Sequence, residues 1–161
     1  MSDCVSSFSE HILYEIQMLF EIVRAGSVNL GKENDPRIWA IRNAQVESFA
    51  IHLRNLLDFL YSENPRTDDV IAEDFFDDPL TWVEHHPPKS KPLTNSHKRA
   101  HKEIAHLTYA RLAVKKKEWS FVDILKELNP VLKEFLQLAP ATRVSDSFRN
   151  LIIIIKKEEK D

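Results

Sequence analysis

The stretch 99-RAHKEIAHLTYAR-111 holds the residues of this chain best suited to chemistry. Read as a helix at about 100° per residue, Arg99 and His106 project about 20° apart, two turns along one face. Glu103 lies between them, one turn from each, and Lys102 and Tyr109 occupy the near flank. The apolar stripe of this helix, Ala100, Ile104, Leu107 and Val114, lies roughly 100° away. The Arg–His face therefore borders the core, where it can form a wall of a cleft or a subunit interface. A histidine titrates near neutral pH and can move a proton. An arginine keeps its charge and offers phosphate a planar fork. Three readings stay open on these residues: RNA chemistry, a metal site, or the polar flank of a packed helix.

Other constellations are weaker. His97 and His101 are four apart and can share a helix face as metal ligands, but a third ligand is needed. His106 projects about 180° from His97, so the same helix cannot supply it, which leaves His85 and His86 in the preceding loop. With one cysteine and no HExxH pattern, no metal and no cofactor is expected. Glu47, Arg54 and Asp58 share one flank of an earlier helix, and Arg54 and Asp58 are spaced for an ion pair. In a functional version, Arg54 or His52 joins the Arg99–His106 groove. Only Gly26 and Gly31 occur, too few for a phosphate-cradling loop or a dinucleotide fingerprint, so P-loop and Rossmann enzymes are excluded.

The elements that must position these residues read as helices. Segment 7–26 opens with a capping box, Ser7 and Glu10, and stops at Gly26. Asp35 and Pro36 supply an N-cap and first-turn proline for a long helix to about Tyr61. Its core stripe is Val46, Phe49, Leu53, Leu56, Leu57 and Leu60. Ile51 and Phe59 fall off that stripe and call for a second apolar contact. Segment 67–76 can form a short helix. Segment 79–96, with Pro79, Pro87, Pro88 and Pro92, reads as a long loop that Phe75, Phe76 and Trp82 pin to the core. A third main helix is expected from Thr94 or Asn95 to about Lys116. Ser120 and Asp123 cap a fourth, whose apolar face is Val122, Leu125, Leu128, Leu132, Phe135 and Leu136 and which Pro130 bends or splits. The β-branched run 151-LIIII-155 fits a strand or a last helical turn. The fold expected is an all-α antiparallel bundle of four main helices with an irregular acidic and Pro-rich connection. Residues 1–140 form its single domain and 141–161 a C-terminal tail.

Charge is segregated along this layout. Residues 63–84 hold Glu63, Asp68, Asp69, Glu73, Asp74, Asp77, Asp78 and Glu84 against Arg66 alone, whereas bases dominate 85–117, where Glu103 is the one acid. Either the acidic connection packs against the basic helix, or the basic surface meets nucleic-acid phosphates. The net charge of −3 does not decide between them, because local fields guide phosphate binding. Cys4 is the sole cysteine, so no intrachain disulfide forms, which suits a reducing compartment. No basic leader or apolar run of about 20 residues is present, and a soluble, cytoplasmic protein is expected.

An arginine followed, after six residues, by a histidine on the later part of a small helical bundle resembles the HEPN superfamily (higher eukaryotes and prokaryotes nucleotide-binding). Segments 47-ESFAIHLRNLLDFL-60, 68-DDVIAEDF-75 and 102-KEIAHLTYAR-111 extend the resemblance over roughly residues 40–115, toward an uncharacterised bacterial branch of such domains. Ala100 follows the arginine where members often carry a polar residue. The resemblance implies an RNA or nucleotide partner, a homodimer, and metal-independent RNA cleavage in a groove shared by two subunits. His106 would then be the acid–base residue at the ribose 2′-hydroxyl or the leaving oxygen, and Arg99 would hold the scissile phosphate. Lys102, Tyr109 and Arg54 would contact substrate. The competing class is a non-catalytic helical interaction module, antitoxin-like or scaffolding.

Overall fold

The computed structural model describes residues 2–26, 35–104, 109 and 119–151. Among them every regular element is helical and no strand occurs. Helix α1 spans Ser2–Gly26 and α2 spans Pro36–Leu60. A 3₁₀ turn at Ala72–Phe75 and a short helix α3, Leu80–His85, lead to α4, Lys91–Arg99. A π-helical turn, Ala100–Ile104, continues α4. Helix α5 spans Phe121–Leu138, and residues 146–151 form a last short helix, α6.

Helix α2 starts where local chemistry dictates. The Asp35 carboxylate accepts the Arg37 N–H at 2.9 Å, and Pro36 occupies a first-turn position that needs no donor. Its apolar stripe is as expected: Phe49, Leu53, Leu56, Leu57 and Leu60 are buried, and Val46 is half-buried. They pack with Ile12, Ile16 and Leu19 of α1 and with Leu128, Leu132 and Phe135 of α5. Each such side chain stabilises the fold by about 1.5–3 kcal/mol. Phe59 also finds its second contact within the chain, edge-on to Phe75 and Phe135. Ile51 does not, and stays half exposed. His52 is buried against α1, its Nδ1 2.7 Å from the Glu15 carboxylate, so it links helices and does not join a groove with Arg99.

Trp82 is fully buried, with its indole N–H donating to the Leu60 carbonyl at 3.0 Å. It stacks on Phe76 and meets Phe135 edge-on, so the aromatics of the irregular connection do pin it to the core. Three of the connection's eight acids serve locally. Asp69, Asp74 and Asp78 each accept a backbone N–H, from Arg66, Ile71 and Leu80. Asp77 pairs with Arg143 at 2.6 Å.

Several elements differ from the sequence expectation. Helix α1 begins at Ser2, a turn and a half before the Ser7 signal. The hydroxyl of Ser9 accepts the Ser145 N–H, a contact between chain ends that local spacing cannot show. The proline-rich loop is shorter than expected. Ser90 caps α4, accepting the Leu93 N–H at 3.4 Å, so Pro92 lies in the first helical turn rather than in a loop. Pro130 lies inside α5 without splitting it. Val122 is exposed because it projects about 120° from Leu128 on that helix. Val144 and Phe148 are buried in the same core as the helices before Pro140. The run after Leu151 and the expected helix beyond Ile104 lie outside the described residues, except Tyr109. No helix among the described residues is long and apolar enough to cross a membrane.

Candidate functional site

The C-terminal half of α2, the segment that follows it, and α4 enclose an open cleft of about 820 Å³. Its cationic lining is Arg54, Arg66, Lys89 and Lys98, joined by His97 and His101. Asp58, Glu63 and Asp69 supply the acids. The acidic and basic segments of the sequence thus meet across this cleft.

Local structure fixes each wall. The helical register of α2 places Arg54 and Asp58 one turn apart, and their ion pair forms at 3.3 Å. Tyr61, the C-terminal cap of α2, donates its hydroxyl to the Pro87 carbonyl at 2.9 Å and fastens the proline-rich segment. Burial pushes the Tyr61 phenol up to about 12. With its hydroxyl on a carbonyl and no cation bonded to the oxygen, the neutral phenol is the favoured form. The Ser90 cap then starts α4, which carries His97, Lys98 and, through the π turn, His101 to the rim.

Three of the lining side chains form one hydrogen-bonded line. His97 Nε2 is 2.8 Å from Asp58 Oδ1, and Lys89 Nζ is 2.9 Å from His97 Nδ1. A carboxylate can only accept, so Nε2 carries the proton and Nδ1 accepts from the lysine amine. Burial pushes the Asp58 carboxyl up, but the hydrogen bonds and charges of His97 and Arg54 together outweigh it, leaving the group below its ordinary value. Burial also pulls the Lys89 ammonium below its ordinary value, against the opposing pull of Asp58 and Glu63. The Tyr61 ring lies 5.4 Å from Lys89 Nζ.

The sequence-derived residues divide between two places. Arg54 lines the cleft and holds Asp58. Arg99 is half-buried, with its guanidinium 4.5 Å from the Trp119 ring, which meets the core at Phe49. Such a stack contributes about 0.5–2 kcal/mol and holds the arginine in place. Lys102 is exposed, and Tyr109 is 92% exposed. His106 lies outside the described residues. The turn that follows Arg99, at Ala100–Ile104, is π-helical. A π turn takes up more residues than an α turn, so the uniform 100° step does not hold through 100–104.

Three of the histidines considered as metal ligands are engaged elsewhere. His97 uses both ring nitrogens on Asp58 and Lys89, His85 bonds the Thr81 carbonyl, and His86 bonds that of Pro87. No group of three ligand-type side chains gathers among the described residues. The Lys89–His97–Asp58 line was not foreseen, because it joins residues up to 39 positions apart. Charge segregation gave no signal for it, because Asp58 lies on α2 before the acidic run begins. Comparison with known proteins finds no matching family model, curated protein or solved structure.

Proposed function

We propose that the protein engages RNA or nucleotides through this cleft, as a HEPN-like antiparallel bundle whose catalytic extension is metal-independent cleavage by Arg99 and His106. One observation carries the reading. Arg54, Lys98 and His101 line a single open cleft on the helices that the sequence singles out, together with Lys89. Phosphate oxygens are recognised by such convergent cations. Asp58 is already engaged by Arg54 and His97, which reduces its repulsion of an anion. The exposed Tyr109 offers a ring on which a base can stack, and a π turn beside the cleft is a feature that recurs at functional sites. In this reading the protein is a cytoplasmic homodimer, which light scattering of the purified chain checks.

Binding of a labelled single-stranded RNA, followed by fluorescence anisotropy, tests the engagement. Replacement of Arg54 and Lys98 by alanine should weaken it about tenfold or more, the scale of losing two charge-assisted contacts. Unchanged affinity would remove the cleft from the reading. Cleavage in the presence of a chelator, wild type against His106→Ala, tests the chemistry, and equal rates would sink it. The second reading, a non-catalytic interaction module, draws on Arg99. Its guanidinium is stacked on Trp119, an arrangement that serves packing and needs no substrate.

A further inference from the structure

Both ring nitrogens of His97 are taken, so this histidine has none to offer a ligand. What the cleft receives is the far end of the line, the Lys89 amine, which uses one of its three donors on His97. The order carboxylate, imidazole, then a group able to become a nucleophile is the logic of an activated nucleophile held by a base and an orienting third group. Here the nucleophile is nitrogen. We propose that Lys89 is a nucleophilic amine, activated by the Asp58–His97 pair, that forms an imine with a phosphate-bearing aldehyde or ketone held in this cleft.

The geometry supports each step. His97 Nδ1, at 2.9 Å, accepts a proton from the Lys89 ammonium, and Asp58, at 2.8 Å from Nε2, stabilises the imidazolium that results. The free amine adds to the carbonyl carbon. The carbinolamine oxygen takes one proton from the nitrogen that added and a second returned by His97, and leaves as water, so amine and carbonyl become imine and water with no change of oxidation state. Arg54 fixes Asp58 from its second oxygen, at 3.3 Å. Lys98 and Arg66 line the same cleft and supply the charge that would hold a phosphate. The volume, about 820 Å³, lies within the range of small-molecule sites.

The groups facing Lys89 act in both directions. Asp58 and Glu63 favour its charged form, whereas Lys98 and burial disfavour it, and the net direction is toward the free amine. The neighbouring Tyr61 ring attracts the ammonium and stays neutral well above physiological pH.

Labelling of the full-length protein with pyridoxal 5′-phosphate, borohydride reduction and peptide mapping between about pH 6 and 10 test the proposal. Near pH 7.5, Lys89 should be labelled at least about tenfold faster than Lys126, an exposed lysine of α5, because His97 relieves its amine of a proton and the cleft holds the phosphate beside it. Its rate should reach half-maximum below the ordinary lysine value of 10.5. Pyridoxal, which lacks the phosphate, should label Lys89 more slowly. His97→Gln, with its helical circular dichroism retained, should bring Lys89 down to the rate of Lys126. If Lys89 in the wild type reacts no faster than Lys126, the lysine only pins the proline-rich segment and the proposal falls. It also falls if folded His97→Gln labels like the wild type, and equal rates for pyridoxal and its phosphate remove the phosphate. The wild-type comparison decides even if the variant does not fold. RNA binding is read separately, so failure of either reading leaves the other standing.

Discussion

Tyr61 and Asp58 stand at opposite ends of the pH scale, and each makes a residue-level prediction. The Tyr61 phenol is raised from 10.0 to about 12 by burial. A raised folded value means the folded chain holds the proton more tightly, so this contribution is complete below about pH 10 and is lost as pH rises toward 12. Tyr61→Phe should flatten the fall in denaturation free energy between about pH 10 and 12. At neutral pH it should cost about 1 kcal/mol, the net worth of the lost bond to Pro87. A fall as steep as in wild type would show that other groups control it. Asp58 has the opposite sign. Its folded value lies below the ordinary 3.8, so its contribution is present above pH 3.8 and is lost as pH falls beneath that. Urea titrations of Asp58→Asn should show less acid sensitivity below about pH 4. They should also show a neutral-pH loss under about 1 kcal/mol, because the half-exposed carboxylate is screened by solvent.

At the scale of elements, the clearest departure from ideal helix chemistry is Pro130. It lies at the middle of α5, where it removes an N–H and crowds the carbonyl one turn earlier. It is exposed, so alanine there disturbs no core contact. Pro130→Ala should therefore stabilise the protein by about 1–3 kcal/mol, the interior penalty of proline less the entropy regained by the unfolded chain. Thermal denaturation reads this directly, and an unchanged or lower midpoint would mean that α5 requires a distortion at that point. Elements with local signals were legible in the sequence. Asp35-Pro36 marked the start of α2, Gly26 the end of α1, and the leucine spacing the buried faces. The start of α4 was not, because Pro92 breaks a helix interior but fits a first turn, and only the Ser90 cap decides between the two. The π turn at Ala100–Ile104 carries no sequence signal of its own, and the uniform helical step read from the sequence does not hold through it.

For the whole molecule, the informative feature is how opposite charges are distributed in space. Sequence order separates an acidic run from a basic one, and the fold brings part of each to the same cleft. Four of the eight acids of the run are nonetheless held by backbone N–H groups or by Arg143, so they cannot all neutralise the bases of α4. The Lys89–His97–Asp58 line was invisible to spacing for the same reason that made the charge runs hard to interpret. It depends on where a proline-rich segment lands on α2, which the Tyr61–Pro87 bond and the burial of Trp82 decide. If the cleft engages single-stranded RNA, each phosphate neutralised releases about 0.7 of a counterion, and cations in one cleft can reach about two to four phosphates. The logarithm of affinity should then fall against the logarithm of salt with a slope of about −1.5 to −3. Lys98→Ala should reduce the slope by about 0.7 while weakening oligonucleotides of different sequence alike. A slope near zero would place any ligand of this cleft outside the nucleic acids, and would leave a small anion recognised by Lys89 as its occupant.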